Sequence, residues 1–218
     1  MAELEISPLA RLLSAYAGKD AQRHRLLWAL DARLADIIRT TSEPLIGQMR
    51  LTWWHEVLTD ETKTKGRGDL LVDAWREAGM VPGDGCSAMI DGWEELLGME
   101  MADEAALRAY AEGRGGGLFV AQTGAPIEAK PMLAAAGAVW ALWDLSGHIS
   151  DSATALRAIA VAKDYLPAAS SGAWHRDWKA SRLAFGIALK DVVKGQRAPG
   201  SLTPGLYARL LRIALVGR

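Results

Sequence analysis

The sequence predicts an all-α protein, and three observations carry that reading. Apolar residues recur at spacings of three and four in one segment after another. Ser, Asp or Thr stands where several of these segments would be capped, sometimes with Pro just after it. No alternating apolar and polar run is convincing enough for a strand.

In chain order, Leu9, Leu12, Leu13 and Tyr16 begin a short amphipathic helix that Gly18 ends. Residues Ala21 to Arg39 repeat Leu26, Leu27, Leu30, Leu34, Ile37 and Ile38 without an internal Gly or Pro, which predicts a long core helix. Ser42 then caps a helix over residues 42–58, with Glu43 and Pro44 in its first turn. Its stripe of Leu45, Met49, Trp53 and Val57, widened by Ile46, Trp54 and Leu58, is expected to face the core. Arg50 falls on the Ile46, Trp54, Leu58 side, where a guanidinium needs a carboxylate from a neighbouring helix, a bound anion, or room to snorkel past the indoles.

The polar run at residues 59–69 is a surface loop, and Asp69 can cap the helix that follows through Trp75 to Ala78. Cys86 to Leu97 predicts a further helix in spite of Gly92, which costs about 1 kcal/mol relative to Ala in a helix interior. Asp103 caps a helix that runs through Leu107, Tyr110, Leu118 and Phe119 and contains GRGGG, Gly113 to Gly117. A phosphate-cradling loop would need a preceding strand and a Gly-Lys-Ser/Thr ending, and neither is present. The glycines are read instead as small residues that let helices approach closely, or as a local helix distortion opposite a cavity. Pro131 to His148 is helical and Ala-rich, with Asp144 and His148 one turn apart at a spacing that suits a metal or a solvent-facing hydrogen-bonded pair. Residues 151–171 mix helical and turn signals. Trp178 to Val193 is helical, and Thr203 caps a last helix with Pro204 at its first position.

Of the 218 residues 50% are apolar and 23% charged, enough for one sizeable core, and a single domain over residues 1–218 is expected. One cysteine, Cys86, excludes an internal disulfide. A net charge of −1 argues against nucleic acid as a partner. The charge is segregated, however: Asp84 to Glu112 holds eight acids against Arg108, and Trp178 to Arg218 holds eight bases against Asp191. These are either two solvated faces or, at the basic end, a surface for an acidic membrane or partner. The longest apolar run, Met132 to Trp143, is too short to span a bilayer, and Glu3 and Glu5 have the wrong sign for a targeting segment. A cytoplasmic location is expected, with peripheral contact to the inner membrane as the alternative.

The blocks ALDARLADIIRTTSEPLIGQMRLTWWHEVL, RAYAEGRGGGLFVAQTG, AAAGAVWALW before KDYLP, and LTPGLYARLLR resemble the successive signatures of the squalene/phytoene synthase family. More narrowly they resemble its divergent branch, which includes a mitochondrial assembly factor of respiratory complex I. The resemblance covers most of the chain from Arg23 and implies an isoprenoid-synthase (terpenoid synthase-like) helical bundle with a central cavity. In the family's enzymes, aspartate-rich motifs on facing walls hold Mg²⁺ against a substrate diphosphate. Here the first motif aligns with Ala35, Asp36, Ile37, Ile38 and Arg39, which leaves one acid of three. The second falls on Ala135 to His148, with Asp144 its remaining acid and Ala135 and His148 at the motif's Asp positions.

The resemblance therefore implies a retained fold and lost prenyl-transfer chemistry: a non-catalytic assembly protein, or a binder of an isoprenoid- or lipid-like molecule, with no cofactor and no metal. Candidate cavity residues are Asp36, Arg50, Trp53, Trp54, Asp144 and His148, with Trp28, Trp140 and Trp143 as further wall residues. The alternative is an active Mg²⁺-dependent prenyltransferase in which Asp36, Asp144 and His148 hold fewer metals and Arg50 grips a phosphate.

Overall fold

In the computed structural model, which describes residues 4–216, every regular element among the described residues is helical. The helices are α1 (Pro8–Ala15), α2 (Ala21–Thr40), α3 (Pro44–Thr59), α4 (Leu70–Glu77), α5 (Asp84–Glu94), α6 (Glu104–Tyr110), α7 (Gly117–Thr123), α8 (Lys130–His148), α9 (Ser152–Asp164), α10 (Leu166–Ala169), α11 (Lys179–Lys194) and α12 (Pro204–Val216). Three of the expected caps form, while the one expected at Ser42 does not: α3 begins at Pro44 behind Glu43, with no side-chain cap. Asp69 accepts the amides of Leu71 and Val72, Asp103 those of Ala105 and Ala106, and the Thr203 hydroxyl that of Leu206. Residues 151–171 resolve into α9, capped by Asp151 at 2.6 Å from the Thr154 amide, and the single turn α10 with Pro167 near its start.

Helix α8 lies at the centre. Its apolar run is buried nearly all round, from Met132 to Ser146, because α7, α9, α10 and α11 pack against it from different sides. Against it also lies a π-helical turn, Ala111–Gly116, which joins α6 to α7 without a break in direction. The GRGGG segment thus shows both expected features, a distorted helix and a close approach. An added Cβ on Gly115 would sit 2.1 Å from the Gly137 carbonyl oxygen on α8, and one on Gly113 would sit 2.6 Å from the Ala88 carbonyl oxygen on α5. Gly92 of α5 answers from the other side, where a Cβ would lie 2.3 Å from the Arg114 amide. Three backbones are pressed together there, and only glycine fits.

Helix α3 buries Trp54 and Val57 of the expected stripe but turns its first half outward and packs through Gly47 and Leu51 instead. Leu45, Met49 and Trp53 are 68%, 67% and 40% exposed, whereas Gly47, Leu51, Trp54 and Val57 are buried. The reason lies at Gly47, where a Cβ would come within 2.6 Å of Leu97 Cδ2. The smallest residue on the helix marks the line of contact, and the large apolar side chains around it turn outward.

The single acid in the basic C-terminal segment, Asp191, is consumed internally: it accepts Trp143 Nε1 at 3.1 Å and Arg209 Nη1 at 2.7 Å. Arg218, the last of those bases, lies outside the described residues. No helix among the described residues is long and apolar enough to cross a membrane.

Candidate functional site

Helices α1, α2, α5, α6 and α8 and the π-helical turn enclose an open cavity of about 500 Å³. Apolar side chains such as Leu13, Ile38, Leu145 and Ile149 make much of its wall. Its centre is ionic. Arg114, 4% exposed, leaves the π-helical turn and projects between the rings of Trp93 and Trp140, with its guanidinium carbon 4.4 and 4.7 Å from their centroids. Its Nε and Nη2 groups donate to the two oxygens of Asp31 on α2, each at 2.8 Å, in a bidentate pair. Nη2 also stands 2.9 Å from Asp144 Oδ2 on α8, and Nη1 donates to the Tyr110 hydroxyl. Trp93 Nε1 completes the group by donating to Asp31 Oδ1 at 2.9 Å.

One cation therefore bridges carboxylates on two facing walls. Burial acts to lower the Arg114 pKa, but the charges of Asp31 and Asp144 outweigh it and hold the guanidinium well above its ordinary value. The Tyr110 hydroxyl, fully buried, is pushed up mainly by desolvation, so it stays neutral.

Of the residues the sequence nominated, the structure brings Asp36, Asp144 and His148 to this cavity, with Trp28 and Trp140 in its wall. Asp36 lies at the mouth in a 2.5 Å ion pair with Arg39, the cation one turn along α2. His148 is exposed, its Nδ1 2.8 Å from the Asp144 carbonyl oxygen and 3.9 Å from the Asp144 carboxylate. Asp144 is thus turned inward onto Arg114 and is not half of a solvent-facing side-chain pair. Arg50, Trp53 and Trp54 lie elsewhere. Arg50 is exposed and donates to the hydroxyls of Thr40 and Thr41 at 3.2 and 2.8 Å, and it pairs with no carboxylate among the described residues. Trp53 meets Trp54 edge to face at 5.0 Å on α3, and Trp54 faces a separate small pocket beside α4. Trp143 is buried against Asp191.

Sequence reasoning missed Asp31, Trp93, Tyr110 and Arg114. A signal was present for the two charged ones. Asp31 is an acid set four residues after Leu27 and three before Leu34, inside the apolar stripe of α2, and Arg114 is a base among residues that must be buried. Two opposite charges on core faces imply each other.

The donor set does not suit a magnesium cluster. Asp31 and one oxygen of Asp144 are engaged by Arg114, Asp36 is engaged by Arg39, and among the described residues no three His, Cys, Asp or Glu side chains converge. No protein-family model, curated protein or solved structure matches the chain.

Proposed function

We propose that this chain is an isoprenoid-synthase-type bundle that does no prenyl transfer and binds an isoprenoid- or lipid-like molecule in its central cavity, as a carrier or as a component of an assembly. The observation that carries this is the position of Arg114. A diphosphate ionises only if metal ions held by free carboxylates on both walls neutralise the departing charge. Here a guanidinium occupies the space between those walls, bonded at 2.8 Å to Asp31 and paired at 2.9 Å with Asp144. A side chain that is covalently part of the protein and buried between two indoles cannot be exchanged for Mg²⁺ when substrate arrives. The apolar wall is retained, at a size that suits a small molecule.

Incubation of the pure protein with Mg²⁺ and farnesyl or geranylgeranyl diphosphate tests the first half of this reading. We expect no C30 or C40 product and no release of diphosphate; either product overturns it. Native mass spectrometry of the protein purified from membranes and cytosol tests the second half, through retention of an apolar ligand that is lost when Ala35, in the cavity wall, is replaced by Trp.

The rival enzyme reading draws on Asp36, Asp144 and His148 sharing one cavity. It requires turnover that Asp36→Ala abolishes at unchanged thermal stability. Peripheral contact with an anionic membrane through the basic α11 and α12 segment is compatible with either reading.

A further inference from the structure

The charges around the cavity do not cancel. Asp36 and Arg39 form a closed pair in water at the mouth. In the adjoining groove, which Glu5 also lines, Arg33 stands 3.8 Å from Asp69. At the centre Arg114 faces two carboxylates, Asp31 and Asp144, and carries only one charge. The residual negative charge belongs to Asp144, because Asp31 is bound bidentately, accepts Trp93 as well, and has a side chain only 7% exposed, against 21% for Asp144. Asp144 Oδ2 meets Arg114, while Oδ1 accepts no hydrogen bond among the described residues, its nearest partner being His148 Nδ1 at 3.9 Å. Oδ1, on a side chain 21% exposed, is thus the carboxylate oxygen open to a donor from solvent or from a ligand, at the edge of an apolar cavity where Coulomb energies exceed those in water.

We infer that the cavity takes an amphiphile with a protonated amine head group, a long-chain alkyl- or isoprenyl-ammonium, whose nitrogen sits against Asp144 Oδ1 and whose chain lies along Leu13, Ile38, Leu145 and Ile149. The inference rests on the ligand-binding reading above and adds the head group to it. A phosphate or diphosphate head brings further negative charge to a centre that is already net negative. Four of the five Arg114 N–H donors are committed to Asp31, Tyr110 and Asp144. Arg39 could meet a phosphate only in water and only in competition with Asp36, where an ion pair gains little.

Titration of the tryptophan fluorescence with decylammonium, decanol and decyl phosphate, each below its micelle concentration, separates these ligands. We expect decylammonium to bind roughly tenfold or more tightly than decanol at low salt, equivalent to about 1.4 kcal/mol, and decyl phosphate to bind more weakly than either. Asp144→Asn is expected to bring the amine and the alcohol to within about threefold while decanol affinity stays unchanged, showing that the fold and cavity persist. Asp164→Asn, on an exposed carboxylate paired with Arg108, should leave the preference intact. Equal binding of amine and alcohol by the natural sequence, or tighter binding of the phosphate, overturns the head-group inference and leaves apolar binding standing. Failure of all three to bind overturns both.

Discussion

Arg50 and Arg114 have similar sequence surroundings and opposite fates. Arg50 stands on a helix beside Trp53 and Trp54, and Arg114 stands in a run of glycines between an aromatic and an apolar block. Arg50 is exposed and reaches only threonine hydroxyls. Arg114 is sandwiched by Trp93 and Trp140, residues 21 positions before and 26 after it, and pairs with Asp31 and Asp144 on two other helices. Aromatic neighbours along the chain do not make an arginine central. What matters is whether the backbone that carries it can be pressed against other helices, and the glycines beside Arg114 permit that.

The comparison breaks first at Arg114 itself. Arg114→Met leaves Asp31 buried and Asp144 half-buried without their cation, and a loss of about 3–5 kcal/mol in urea unfolding is expected. A loss below about 1 kcal/mol would mean that the cluster is not what organises the cavity. Next comes the backbone that places it. Gly115→Ala puts a methyl group 2.1 Å from a carbonyl oxygen, so a loss of about 3 kcal/mol is expected together with a shift of the Trp93 and Trp140 fluorescence as Arg114 moves between them.

His24 offers a third contrast, a buried group that is held uncharged. Desolvation lowers its pKa from 6.5 to about 4, with Asp20 opposing and Arg23 adding to the effect. The unfolded chain takes up a proton below about pH 6.5 that the folded chain refuses until about pH 4, so the unfolded state binds more protons across that window. Stability is therefore full above pH 6.5 and falls by up to about 3 kcal/mol on acidification to pH 4. His24→Gln is expected to flatten that part of the urea midpoint against pH curve. Trp93→Phe keeps the ring stacked on Arg114 but removes the donor to Asp31, and should cost about 1–2 kcal/mol. The smallest effect closes the series: Arg50→Ala, on an exposed face, is expected to change stability by less than about 0.5 kcal/mol in the same assay.

The helices were legible because their signals are local. Periodic apolar residues mark α2, an Ala-rich apolar run marks α8, and Asp69, Asp103 and Thr203 mark starts that the structure keeps. The GRGGG segment was legible as a close approach because only glycine lets backbones meet at that distance. The inward face of α3 was not legible. Leu45, Met49 and Trp53 make as regular a stripe as Gly47, Leu51 and Trp54, and periodicity cannot say which of two stripes a neighbouring helix will cover. The site was half legible for a related reason. Asp144 and His148 were found as a pair one turn apart and Asp36 through the family resemblance, whereas Asp31 and Arg114 have meaning only as a pair 83 residues apart.

The sequence by itself determined that the chain is all helical, where most helices begin, and that the glycines at 113–117 mark either a close approach or a helix distortion. Those follow from hydrogen-bond geometry, side-chain period and steric size, all of which act over a few residues. Only the tertiary structure decided that Arg114 stands between Asp31 and Asp144 and that Arg50 faces water. Burial of a charge is settled by what surrounds it on every side, and those surroundings come from helices far apart in the chain.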